Sequence, residues 1–342
     1  VSNNILIRAD ASPEIGTGHV MRCLSLAIAL REQGKDVIFI MAQVVPSLQE
    51  RIEKTGSTIR MITSDDDASE ALQIAKELDA AWIIIDGYPF DAEYQKKMTE
   101  GPSRVLYIDD YGQCDFYIAD LILNQNIAAS EGLYRNRSPE TQLLLGPAYA
   151  LLRPEFQGQN MQKDIPKIAK NILVTLGGSD ADNISGKVLT ALSAIKDLTL
   201  HITVILGGAN PNQEEVKALA ESLQHTTEVV IDVRDIAKRM QQADLAIAAG
   251  GTTTYELLSL GVPFITGAFA ENQKAIADAL EAKNLAQNIG WYPQVSTEKL
   301  CDTIHELIFS EDERKRMSKE GKKLVNGNGA SRTAQALLHS EQ

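Results

Sequence analysis

The feature that most limits the fold is an alternation, in two blocks, of short and almost continuously apolar runs with longer helical patterns. In the first block the apolar runs lie at 4–8, 36–41, 81–86 and 105–109, and a helical pattern opens at about Gly18. Runs such as Val37-Ile38-Phe39-Ile40 and Ile83-Ile84-Ile85 lack the in-out alternation of a one-sided sheet. They suit parallel strands covered by helices on both faces, so βαβ units on a parallel sheet are predicted. A polar stretch at 153–170, with Pro154, Gly158 and Pro166 and no apolar period, then breaks the pattern and reads as a linker. The alternation resumes at 171–176, 200–206, 228–232, 244–248 and 263–266. The expectation is α/β: two Rossmann-like domains, 1–155 and 156–342, and 342 residues suit two cores of ordinary size. The charged pattern at 311–325 reads as a closing helix with a solvated face.

Composition narrows the chemistry. A net charge of −13 repels other polyanions, so neither nucleic acid nor an anionic membrane surface is expected as a partner. No apolar run reaches the roughly 18–20 residues that span a bilayer, and the first residues enter a short strand rather than a basic leader. Cys23, Cys114 and Cys301 show neither CxxC spacing nor a disulfide framework, which fits a reducing compartment. A cytoplasmic protein is therefore expected. No His/Cys/Asp/Glu run has metal-ligand spacing, and no GxSxG elbow is present. The glycine-rich turns match neither GxGxxG nor a Walker A loop, so NAD and ATP gain no support and no cofactor or metal is expected.

Those turns follow apolar runs, where open parallel sheets bind ligands. Ala248-Ala-Gly-Gly-Thr-Thr-Thr-Tyr-Glu256 opens a helix. Gly250 and Gly251 would let a phosphate approach the backbone, with free amides and the hydroxyls of Thr252, Thr253 and Thr254 around it. Glu256, one turn on, would accept hydrogen bonds from ribose hydroxyls. The alternative is an ordinary capped turn with a solvent-facing Glu. Gly177, Gly178 and Ser179 open the second block and either touch a phosphate or sugar, or precede an Asp or Asn helix cap. In the first block, Gly16-Thr-Gly18-His19-Val-Met-Arg22 places His19 in the first turn of a helix with the apolar stripe Val20, Leu24, Ala27, Leu30. His19 is either a base facing a cleft, where the helix N-terminus favours the neutral ring, or a residue bonded within its own loop. Asp86-Gly-Tyr88 and Asp109-Asp110-Tyr end apolar runs, as sugar ligands or as loop-holding acids.

Gly16-Thr-Gly-His19-Val-Met-Arg22, Leu145-Gly-Pro-Ala-Tyr-Ala-Leu-Leu-Arg153, Leu176-Gly-Gly-Ser-Asp180 and Ala249-Gly-Gly-Thr-Thr-Thr-Tyr-Glu256 occur in this order. Together they resemble the UDP-2,4-diacetamido-2,4,6-trideoxy-β-L-altropyranose hydrolases of pseudaminic acid biosynthesis and the related spore coat polysaccharide proteins. The resemblance implies a glycosyltransferase-B architecture with an interdomain cleft and UDP held by the second domain. It implies His19 as catalytic base and the 250–256 turn at UDP. Gly16, Gly18 and Arg22 beside His19, and the strand-end residues Asp86, Tyr88 and Asp109, are expected toward the sugar. The implied reaction is metal-independent attack of water on the anomeric carbon, with inversion. A UDP-sugar transferase, a 2-epimerase and a non-catalytic nucleotide-sugar binding subunit remain as alternatives on the same fold.

Overall fold

The computed structural model describes residues 2–12, 15–157, 163–178, 180–233 and 235–339. The chain divides into two compact units, Val1–Gln157 with Gly327–Gln342, and Gly158–Asn326.

The first unit runs β1 (Asn4–Arg8), α1 (Gly18–Glu32), β2 (Asp36–Met41), α2 (Pro46–Lys54), β3 (Thr58–Met61), α3 (Asp67–Glu77), β4 (Trp82–Asp86), α4 (Ala92–Met98), β5 (Arg104–Ile108), β6 (Leu121–Asn124) and β7 (Gln142–Leu145). The strands form one parallel sheet in the order β3-β2-β1-β4-β5-β6-β7. Successive residues of each central strand enter different cores, which accounts for the unbroken apolar runs. Ile5, Ile7 and Ile84 pack with Val20, Leu24, Ala27 and Leu30 of α1. Leu6, Ile83 and Ile85 pack with Ala71 and Leu72 of α3.

The second unit runs β8 (Asn171–Thr175), α5 (Ile184–Ser193), β9 (His201–Leu206), α6 (Gln213–Ser222), β10 (Thr226–Ile231), α7 (Ile236–Gln242), β11 (Leu245–Ala249), α8 (Thr253–Leu260), β12 (Phe264–Ala268), α9 (Glu271–Ala282), β13 (Gln287–Trp291), α10 (Thr297–Phe309) and α11 (Glu311–Leu324). Its parallel sheet has the order β10-β9-β8-β11-β12-β13. Both units are Rossmann-like α/β domains, as the alternation predicts.

The end of the chain departs from that reading. The helix at 311–324 does not close the molecule: α12 (Gly329–His339) follows it and returns to the first unit. Ala330, Ala334 and Leu337 enter the core that holds Val20 and Leu24. A Cβ on Gly329 would lie 2.2 Å from the Ala150 carbonyl oxygen, so glycine permits the close contact there. A single boundary near 155 does not anticipate the return.

In each sheet the strand order reverses once, between β1 and β4 and between β8 and β11. At such a switch point the adjacent loops leave in opposite directions and open a crevice beyond the carboxyl ends of the strands. The turns flanking the two reversals are 9–17 and 87–91, and 176–183 and 250–252, at or beside which three of the four sequence motifs lie; the fourth, 145–153, follows the edge strand β7.

Candidate active site

His19 stands in the first turn of α1, beyond the end of β1, and Asp86 is the last residue of β4. The reversal brings them together: His19 Nδ1 lies 2.8 Å from Asp86 Oδ1. Arg22, one turn along α1, donates to the same carboxylate from Nε at 2.7 Å and from its Nη2 at 2.6 Å, a two-pronged grip. Its Nη1 donates to Asp110 Oδ1 at 2.6 Å. Asp86 is fully buried. Burial alone would raise its carboxyl, but the Arg22 charge, the Arg22 hydrogen bonds and His19 together hold it well below the ordinary carboxylate range. The cost of burying Arg22 is likewise overcome by Asp86 and Asp110, which keep the guanidinium charged. Burial pushes the Cys23 thiol up, so the contact of its Sγ with Asp86 Oδ2 at 3.3 Å comes from a neutral S–H.

Nδ1 of His19 thus faces Asp86 Oδ1 at 2.8 Å and Arg22 Nη2, itself a donor, at 3.3 Å. The shorter contact, to a carboxylate that only accepts, is the one an Nδ1–H makes, and in that tautomer Nε2 is the ring's acceptor. A buried carboxylate that orients a histidine in this way also steadies the imidazolium formed when Nε2 takes a proton. Tyr88 packs its ring edge-to-face on His19 with centroids 4.8 Å apart, and stays half exposed. Gly87 makes that turn possible: its φ is +153°, and a Cβ would meet the Phe90 ring at 2.9 Å.

The predicted sugar ligands therefore divide. Tyr88 is half exposed, and among the described residues no atom lies within 4 Å of a Cβ built on Gly16 or Gly18. Arg22 and Asp86 are instead buried and bonded to each other, so they position His19. Asp109 takes the loop-holding role. It is buried, accepts the amides of Asp110, Tyr111 and Gly112 at 2.7, 3.2 and 2.9 Å, and accepts the Tyr117 hydroxyl at 2.7 Å. Asp110, which the sequence marks at a strand end, is the second partner of Arg22, and a residue the sequence did not mark, Asn126 beyond β6, donates to the Asp110 carbonyl at 2.8 Å. The run Asn124-Gln-Asn126 after an apolar strand was the available clue.

In the second unit, the turn between β11 and α8 leaves Thr252 exposed and Thr253 half-buried at the helix start. Among the described residues their amides meet no backbone carbonyl, as first-turn amides do not. Thr254 differs from the expectation: it is buried and its hydroxyl donates to the Gly251 carbonyl at 2.7 Å, closing its own turn. The two glycines also differ. A Cβ on Gly250 would lie 2.8 Å from the Gln273 carbonyl oxygen, so this glycine serves the packing of α9, whereas Gly251 faces open space. Glu256 is largely buried in the first turn of α8.

The neighbouring turn holds Gly177, at φ +89°, and Gly178, each facing open space where a Cβ would stand; Ser179 lies outside the described residues. Here the capping reading is realised. Asp180 accepts the amides of Ile184 and Ser185 at 2.8 and 2.9 Å, and Asn183 accepts that of Gly186 at 3.0 Å. A Cβ on Gly207, at the end of β9, would lie 2.1 Å from the Gly178 carbonyl oxygen, so the two turns touch through glycine.

Among the described residues no group of His, Cys, Asp and Glu is placed to hold a metal ion, and no helix is long and apolar enough to cross a membrane.

Residues 171–334 match the glycosyltransferase family 28 C-terminal domain. Across 97% of its length the chain is 29% identical to the spore coat polysaccharide biosynthesis protein SpsG of Bacillus subtilis, covering 96% of that protein. It is 27% identical to the UDP-2,4-diacetamido-2,4,6-trideoxy-beta-L-altropyranose hydrolase of Campylobacter jejuni, covering 82% of this chain and 96% of the hydrolase. The chain is a homologue of both proteins. Among solved structures it resembles Acinetobacter baumannii MurG, with a TM-score of 0.71 at 15% identity over 99% of this chain and 100% of that one. A glycosyltransferase from Rickettsia africae shares the fold with a TM-score of 0.66 at 15% identity, over 100% of this chain and 99% of that one. The fold is thus that of the glycosyltransferase-B enzymes.

Proposed function

We propose that this protein hydrolyses a UDP-linked diacetamido-trideoxy sugar at its anomeric carbon, with inversion and release of UDP, in the synthesis of a surface polysaccharide or of pseudaminic acid. The observation that carries the reading is the His19–Asp86 pair at the switch point of the first unit. The name of the Campylobacter homologue supports the same chemistry.

In this reaction Nε2 of His19 accepts a proton from water as the water oxygen bonds to the anomeric carbon. The bond from that carbon to the diphosphate oxygen breaks, and its electron pair leaves with UDP. Asp86 holds the ring in the accepting tautomer and balances the imidazolium; Arg22 keeps Asp86 ionised and fixed. UDP is a good leaving group, so the main demand on the second unit is to receive negative charge. The amides of Thr252 and Thr253 at the positive end of α8 suit that demand, with Gly251 admitting a phosphate and Glu256 meeting the ribose hydroxyls. One carboxylate-oriented histidine then suffices where a glycosidase uses two carboxylates.

The His19→Asn variant tests the assignment. It is expected to bind UDP with unchanged affinity, measured by calorimetry, and to lose about 10³-fold or more in turnover, the scale on which removal of a general base acts. Near-normal turnover would remove His19 from its role.

A second reading, a true glycosyltransferase, is favoured by the family 28 match. It keeps the same residues and replaces water with an acceptor hydroxyl. Turnover that begins only when an acceptor is added would establish it, and a rearranged UDP-sugar as product would mark an epimerase instead.

A further inference from the structure

We propose that Tyr111 is a specificity-determining residue: with Tyr88 it forms an aromatic platform beside His19 on which the apolar face of a nucleotide-sugar's pyranose stacks. The inference rests on the reading of His19 as the residue that meets the sugar. Tyr88 and Tyr111 are 49% and 53% exposed, and adjacent exposed aromatics are more informative than single ones. They are paired, with ring centroids 6.0 Å apart and planes tilted by 38°. Through Tyr88 the pair continues to the His19 ring, so its surface is continuous with the proposed base.

The platform is held rather than loose. The Tyr111 amide donates to Asp109 Oδ1 at 3.2 Å, and Asp109 is itself fixed by the Asp110 and Gly112 amides and by the Tyr117 hydroxyl. Gly112 turns at φ +81°, and a Cβ there would meet Leu133 at 3.2 Å. Tyr88 is set by the Gly87 turn. A fixed aromatic surface lowers the ordering cost of binding and presents C–H-accepting faces, which suit a sugar whose hydroxyls are replaced by methyl or acetamido groups. A fully hydroxylated sugar gains less there, because its polar groups lose water without a partner.

The test compares three ligands on the full-length wild-type protein and on Tyr111→Ala and Tyr111→Phe: UDP, UDP-glucose and the UDP-diacetamido-trideoxy-altrose. Affinities are read by calorimetry, and KM and kcat where turnover occurs. For Tyr111→Ala the altrose derivative is expected to lose about tenfold in affinity, within the span of one aromatic contact, while UDP is unchanged and UDP-glucose loses less than threefold. The loss should fall on KM more than on kcat, and Tyr111→Phe should match the wild type. Equal losses on all three ligands, no loss on the altrose derivative, or a Phe variant as weak as the Ala variant would each overturn the platform. Absence of turnover in the wild type would count against the hydrolase reading alone, since the binding ratios report the platform separately.

Discussion

At the scale of single residues, the proposed chemistry depends on Asp86, whose buried carboxylate lies 2.8 Å from His19 Nδ1. Asp86→Asn is expected to lower kcat by about 10³–10⁴, because an amide in that position no longer selects the Nδ1–H form, with a smaller change in KM. A kcat within tenfold of wild type would show that the pair does not orient the base. The same substitution has a stability signature. The folded Asp86 carboxyl lies below its ordinary value, so its contribution to folding is complete above about pH 4 and is lost as pH falls below that. Denaturant melts between about pH 5 and 2 should therefore fall less steeply in the Asn variant than in the wild type. The sequence showed His19 at a helix start and Asp86, Tyr88 and Asp109 at strand ends as residues worth attention. It did not show their division of labour, because burial and partner choice are tertiary facts: Asp86 and Asp109 each follow an apolar strand, yet one faces a histidine and the other its own loop.

At the scale of elements, the turns of the second unit depend on glycines that meet each other. Gly207→Ala would drive a methyl group into the Gly178 backbone, where no flexible side chain can yield. The expected cost is about 1–3 kcal/mol of stability, and UDP affinity should fall with it because the turn carrying Gly177 must shift. Unchanged thermal stability would show that the close approach is not a constraint. The helices and strands were largely legible, since the apolar period fixed the central strands to within a residue or two: 36–41 was predicted and Asp36–Met41 is found. The edge strands β3 and β13 escaped notice, being partly exposed and without a continuous apolar run, and so did β6 and β7, four residues each, although β6 is buried throughout. The threonine turn shows the limit of reading by residue type. Three hydroxyls in a row suggest a common role, but the helical turn sends that of Thr254 inward to Gly251.

At the scale of the molecule, two doubly wound units each place a strand-order reversal where the motifs occur, so the ends of four strands carry nearly every residue of the proposed chemistry. That arrangement was implicit in the two-block alternation, although the return of α12 to the first unit was not. The central claim, attack of water on the anomeric carbon, is tested most directly by turnover of the UDP-diacetamido-trideoxy-altrose in ¹⁸O-water without added acceptor or metal, followed by NMR and mass spectrometry. The account predicts that the label appears in the free sugar, that the first-formed anomer is inverted, and that the released UDP is unlabelled. Label in the UDP, a retained anomer, or turnover only after an acceptor is supplied would contradict it.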